Sequence, residues 1–336
     1  MTRTRRLGAG FGVVLLLGAT VHTGPAAAPA ALTCGSIITR NTTLTADVGP
    51  CGNGGVVVRG NGVILDLGGF AVRGQPNQTG DGVGIRIRNR TGVTVKNGRV
   101  TDFSAGVVLE NGGGHVIKNL LVKDNIGRGT NDFGDGIALS SSSGNTIRDN
   151  DVIHNGPFDG IGLFGPSSDN LIVNNVVGEN NIAFSPDDGI RIEGPGAKNN
   201  TVRSNSVTGS SLDGIAIFSD QATGNLNTGN LIVDNTVSAN GYGLLGARPG
   251  DGIRTFLRAN DNEIRGNRVH DNAGSGILIG SGSLDNEILD NMATGNARRA
   301  ASASPRFDLH DLNPNCDNNL WQGNTYETAF PTCVTG

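Results

Sequence analysis

The sequence predicts an all-β solenoid, a stack of short coils whose strands line one continuous core. Three observations carry that expectation. A Gly followed by residues that are apolar at alternate places recurs at Gly84-Ile85-Arg86-Ile87, Gly106-Val107-Val108-Leu109, Gly136-Ile137-Ala138-Leu139, Gly160-Ile161-Gly162-Leu163, Gly189-Ile190-Arg191-Ile192, Gly214-Ile215-Ala216-Ile217, Gly252-Ile253-Arg254-Thr255 and Gly276-Ile277-Leu278-Ile279. The steps between these glycines are 22, 30, 24, 29, 25, 38 and 24 residues, so one structural unit repeats with loops of varying length. Apolar residues at every second position describe a short strand with one buried face. The third observation is composition. The 336 residues include 54 Gly and only 4% aromatics, too few large side chains for two globular cores but enough for a column fed by each coil.

The chain divides into four segments. Residues 1–30 have the form of an export signal: Arg3, Arg5 and Arg6 precede an apolar run from Leu7 to Thr20, and Ala28-Pro29-Ala30 supplies small residues for cleavage. That run is too short to span a bilayer, and no later stretch is apolar enough to do so, so we expect a secreted protein without membrane insertion after signal removal. Residues 31–55 form an N-terminal cap, 56–306 the coils, and 307–336 the last coil and a C-terminal cap. The four cysteines fall into two local pairs at the two ends, Cys34 with Cys51 and Cys316 with Cys333, which in an exported protein read as disulfides that staple the caps. The formal net charge is −4 and becomes roughly −7 once the three signal arginines leave, which argues against nucleic acid as a partner.

A second repeated strand lies between the Gly-Ile strands, in the form Asn-x-Ile-x-x-Asn. Copies begin at Asn145, Asn170, Asn200, Asn230, Asn262 and Asn286, with a degraded copy at Asn319. Asn tolerates left-handed turns and hydrogen-bonds its own backbone, and stacked Asn side chains bond along an axis, so these columns mark corners. Helical alternatives fail because Gly, Asn and β-branched residues occupy the places where a helix needs Ala, Leu, Glu or Lys.

From about Val56 to Asn324 these coils resemble secreted right-handed parallel β-helix proteins of the pectate-lyase-like superfamily. The resemblance implies a single-stranded right-handed parallel β-helix of about ten coils. It also implies activity on, or binding to, an acidic polysaccharide or cell-surface glycan. The enzymatic form would be a polyuronate lyase or uronate epimerase; the alternative is a non-catalytic carbohydrate-binding or cell-surface structural solenoid.

Candidate site residues follow from register. With the Ile positions inside, the first outward column runs Arg86, Val108, Ala138, Gly162, Arg191, Ala216, Arg254, Leu278, and the second Arg88, Glu110, Ser140, Phe164, Glu193, Phe218, Phe256, Gly280. Arg191 then stands between Gly162 and Ala216, with open space expected on both sides, and Glu193 stands between Phe164 and Phe218. Arg can fork onto a carboxylate, and flat rings can cover the apolar face of a sugar. We therefore expect Arg191, Asp188 and Asp187 as catalytic candidates, and Phe164, Phe218, Glu193, Arg254 and Phe256 as substrate-binding candidates. Five coils place Asp just before the Gly, at Asp135, Asp159, Asp188, Asp213 and Asp251. This row reads either as turn residues that bond backbone amides or as carboxylates for Ca²⁺ or acid–base work. Near the end, Phe307-Asp308-Leu309-His310-Asp311 reads as one more strand with Asp308 and His310 outward. Its order is similar to the Asp-Pro-His-Glu signature of alginate-epimerase β-helices, with Leu309 in place of Pro; the other reading is a capping strand. The long loops Lys123–Gly134, Gly178–Asp187 and Ser238–Gly250 should stand beside the outward face.

Overall fold

The computed structural model describes residues 31–75, 82–127, 134–178, 188–219, 226–242, 249–298 and 305–335. Residues 1–30, expected as an export signal, Asp187 and the middles of the three long loops lie outside the described residues. The Gly-Ile strands join into one parallel sheet of twelve strands, from Ile37–Ile38 to Ala329–Phe330. The first and last of these belong to the caps, which leaves ten coils, as expected. Most coils then add two short strands to a second parallel sheet, for example Thr201–Arg203 and Ser206–Thr208, whereas Thr94–Thr101 and Val116–Lys123 each run through as one longer strand. The described residues hold no α-helix, only two short 3₁₀ turns in the C-terminal cap.

Every coil stacks on the next without a register shift between the Gly-Ile strands. Ile137 pairs with Ile161, Ile161 with Ile190, Ile190 with Ile215, Ile215 with Ile253 and Ile253 with Ile277. All six side chains are fully buried, so they form one stack along the axis. Valines and isoleucines of the second sheet close the column from the other side, among them Ile172, Val202, Val207 and Ile232. Gly189 lies where the chain turns into its strand, and a Cβ there would stand 2.4 Å from Val207 Cγ1. Close approach of the two sheets is therefore what requires glycine at the head of the repeat.

The Asn columns are corner ladders. Asn200 Oδ1 accepts the backbone N–H of Asn170 at 3.0 Å and its Nδ2 at 2.9 Å, and Asn200 in turn donates Nδ2 to Asn230 Oδ1 at 3.0 Å. Nδ2 of Asn200 also reaches back to the Ser167 carbonyl at 3.0 Å. Neighbours at the bend take left-handed φ, such as Asn199 at 56° and Ser204 at 54°. In one coil His115 takes the ladder place: its Nδ1 accepts the Val93 N–H at 3.1 Å, and burial lowers its pKa to about 4, so it accepts as the neutral ring.

Both ends are closed by the expected disulfides, Cys34–Cys51 and Cys316–Cys333. The C-terminal cap also buries Asp311, whose Oδ2 accepts from Trp321 Nε1 at 3.1 Å and from Asn319 Nδ2 at 3.1 Å. Burial raises its pKa against those hydrogen bonds. The motif around His310 differs from expectation at one place. Leu309 pairs with Ile277, which puts Asp308 level with Gly276, at the inner turn and not outward. Asp308 is buried there and accepts from Asn296 and from the backbone of Glu327 and Thr328. It ends the corner ladder in place of one more Asn.

Ile190→Ala should cost about 2–5 kcal/mol through lost transfer energy and a cavity. Thr201→Ala, on the outward face of the same coil, should stay within about 0.5 kcal/mol. Urea unfolding of both variants checks this; equal losses would mean that the in/out register is wrong.

Candidate functional site

The two outward columns of the Gly-Ile sheet fall as the alternation predicts. Gly162 pairs with Arg191, Arg191 with Ala216 and Ala216 with Arg254, while Phe164 pairs with Glu193, Glu193 with Phe218 and Phe218 with Phe256. His310 extends the first column beyond Leu278.

The space beside Arg191 is not open. A Cβ on Gly162 would meet Phe164 Cζ at 2.4 Å, so the Phe164 ring folds back over its own glycine. That ring packs against a small buried apolar cluster of Val83, Ala105, Val108 and Ala138. Ala216 is likewise fully buried. The physical reason is that a ring standing alone on a sheet face would expose both sides, whereas folding onto a neighbour without a side chain buries one of them.

The C-terminal half gathers charge and rings. The Arg191 guanidinium lies 4.5 Å from the Phe218 ring centroid, and that of Arg254 lies 4.5 Å from the Phe256 centroid. The two rings meet edge to face at 5.4 Å. Two guanidiniums, two coils apart, therefore clasp an aromatic pair, each by a cation–π contact. Arg191 Nε lies 2.9 Å from Glu193 Oε2, and Glu193 remains 40% exposed by its side chain.

The Asp row lies directly behind this cluster, wholly buried. Asp188 accepts the Asp213 N–H at 2.9 Å, Asp213 the Asp251 N–H at 2.7 Å and Asp251 the Ser275 N–H at 2.7 Å. Asp135 and Asp159 bond the amides of the coils after them in the same way. The remaining oxygens face the arginines. Asp188 Oδ2 is 3.8 Å from Arg191 Nη1, and Arg254 Nη1 is 4.0 Å from Asp213 Oδ2 and 3.9 Å from Asp251 Oδ2. Arg306, which register reasoning did not reach because it precedes its strand, adds a contact of 3.5 Å to Asp251. Burial, and the repulsion of Asp213 and Asp159, push the Asp188 pKa well above the usual carboxylate range; Arg191 opposes this. His310 sits at the end of the column against Phe307 and Phe330, its pKa held at about 4 by burial and by Arg306.

The donor set of the Asp row does not suit Ca²⁺. Each Oδ1 already accepts a backbone N–H, and the second oxygens of Asp188, Asp213 and Asp251 face guanidiniums. Among the described residues no group of three or more His, Cys, Asp or Glu is arranged to hold a metal ion. Nor is any described helix long and apolar enough to cross a membrane.

Asp188 binds its proton more tightly folded than unfolded, so its contribution favours folding at low pH and is lost as pH rises from about 4, the unfolded value, through the raised folded value. Asp188→Asn keeps an acceptor for the Asp213 N–H and removes that loss. The melting temperature of the variant minus that of the wild type should be more positive at pH 7 than at pH 4; a difference that is flat or falls with pH would contradict the placement of Asp188.

No curated protein matches the sequence. Among solved structures, the chain resembles the A-module of the Azotobacter vinelandii mannuronan C-5 epimerase (TM-score 0.57, 15% identity, 87% of this chain and 86% of that one). It resembles pectate lyase Pel9A with a TM-score of 0.50 and 17% identity over 83% of this chain and 71% of that one. The Dettilon tailspike protein matches with a TM-score of 0.59 and 16% identity over 89% of this chain, which spans 61% of the tailspike's length. These likenesses share the fold. The model of the right-handed beta helix region matches residues 54–228, more than half of the chain, and the protein belongs to that family.

Proposed function

We propose that this is a secreted β-helix protein that engages an acidic polysaccharide along the outward face of its Gly-Ile sheet, as a polyuronate lyase or epimerase. The observation that carries the reading is the clasp of Arg191 and Arg254 around Phe218 and Phe256, backed by buried carboxylates. Guanidiniums fixed from behind lose little freedom when they meet a carboxylate, and the rings offer an apolar surface to a sugar. The similar folds of an epimerase named for mannuronan and of a pectate lyase support a uronate polymer as the ligand. Two end disulfides fit an exported protein, and the negative net charge speaks against nucleic acid.

In the enzymatic form, Arg191 meets the uronate carboxylate and draws charge from it, which makes the proton alpha to that carboxylate easier to remove. Asp188 holds Arg191 in place from beneath. Glu193, beside Arg191 and open to solvent, contacts the same sugar, and Asp187, next to Asp188 in sequence, is the further acid proposed for the chemistry. Phe164 bounds the cluster on its N-terminal side. The alternative is a non-catalytic carbohydrate-binding solenoid. It is favoured by the fact that Asp188 is wholly buried and Glu193 is in ion-pair contact with Arg191.

Arg191→Ala should weaken binding of polygalacturonate or polymannuronate by roughly ten- to a hundredfold, the worth of about 1.5–3 kcal/mol for a charged hydrogen bond. Arg86→Ala, on the same column but paired with Glu110 at 2.8 Å, should leave it unchanged. Arg191→Lys should recover only part of the loss, because it keeps the charge without the fork. Unsaturated product followed in the ultraviolet separates a lyase from a binder. Equal effects at Arg86 and Arg191 would remove this coil as the site.

A further inference from the structure

The second sheet of the solenoid carries a row of cations that the reading above does not use. On the outward side of the second sheet, Lys96 pairs with Lys118 and Lys118 with Arg148. The row continues through Val173 to Arg203 and through Val233 to Arg265. Five cations thus share one column along the axis of a chain whose net charge is negative.

Part of the column is structural. Val173 and Val233 are outward in register between arginines yet only 6% and 2% exposed, and an arginine stem can cover an apolar neighbour in this way. Lys96 is held by Asp66 at 3.0 Å, Arg148 by Asp149, and Arg265 by Glu263 at 2.6 Å. Lys118 and Arg203 have no such acid: among the described residues no carboxylate lies within ion-pair distance of either. Lys118 also stands in register between two other cations, each about 4.8 Å away along the sheet. Like charges directly opposite on neighbouring strands destabilise a sheet. A neutral side chain at position 118 would relieve that repulsion, so packing does not explain the lysine.

We propose that this column is a second track for an acidic polysaccharide, laid along the helix axis on a different sheet from the Arg191 cluster. Charge complementarity selects a linear polyanion, and the flanking column suits a sugar chain over four coils, where Thr146, Leu171, Thr201 and Leu231 are neutral and offer hydroxyls and aliphatic surface in alternate coils, before it turns acidic at Glu263. The choice of a uronate polymer as that polyanion rests on the function proposed above; the track itself rests on register and charge alone. A protein with one such chain on each of two faces links two polymer strands, and it gains the avidity of two weak sites.

The test uses the full secreted chain, sodium polygalacturonate, and the double variant Lys118→Gln/Arg203→Gln. Wild-type protein should raise the light scattering of the polymer by bridging chains, and salt should abolish the effect. The double variant should still bind polymer but lose the scattering, with a melting temperature equal to or above the wild type's. Arg191→Ala should lose the scattering as well, through the other face. Unchanged scattering and affinity in the double variant would overturn the second track, and if Arg191→Ala weakens binding in the same assay the proposed function stands without it. Unchanged binding in both variants would reject both. Tighter binding of duplex DNA or phosphatidylserine vesicles than of polygalacturonate, lost in the double variant, would reject the glycan as occupant.

Discussion

The structure depends on one constraint, the unshifted stacking of each coil on the one before it. Parallel strands hold equivalent residues about 4.8 Å apart, so every side chain meets its own counterparts above and below. Ile190 succeeds in that setting because Ile161 and Ile215, its partners above and below, are the same residue and equally buried. Asn succeeds at the corners because it accepts and donates at once. Asn200 Oδ1 takes two donors from the coil before while its Nδ2 reaches the coil after. An ionised Asp can only accept, so the Asp column satisfies one amide per coil, and the crowding of its carboxylates is part of what pushes the Asp188 pKa up. Arg191, Arg254 and Arg306 answer that charge.

That answer links architecture to surface chemistry. Arginine would be costly on adjacent coils, where like charges oppose one another, and it recurs on alternate ones. Arg191 and Arg203 belong to one coil, and Arg254 and Arg265 to the coil two steps on. Two coils separate them by about 9.6 Å, close to a Debye length at 0.1 M salt, so their repulsion is small in solution. From Arg148 onward the result is arginine on alternate coils of the second sheet, in step with Arg191 and Arg254 on the first; only Lys96, Lys118 and Arg148 crowd three adjacent coils.

Much of this was legible in the sequence. The outward columns could be written down from the Gly-Ile repeat because a strand has period two and each coil adds one strand to the sheet. The cysteine pairs and the Asn corners were legible for the same reason: their neighbours are close in sequence or repeat at the coil period. What was not legible depends on side-chain direction. Nothing in the pattern says that Phe164 folds over Gly162 or that Phe218 receives Arg191. The inward turn of Asp308 was hidden because alternation fails where the chain rounds the corner into its strand. Arg306 was missed because it acts from outside the repeat, across to Asp251.

The most direct measurement is a crystal structure of the protein with a short uronate oligosaccharide. The account predicts a chain lying along the helix axis, with carboxylates within about 3 Å of the Arg191 and Arg254 guanidiniums and a ring face against Phe218 or Phe256. An oligosaccharide that crosses the axis, or that binds with no carboxylate at either arginine, would contradict it.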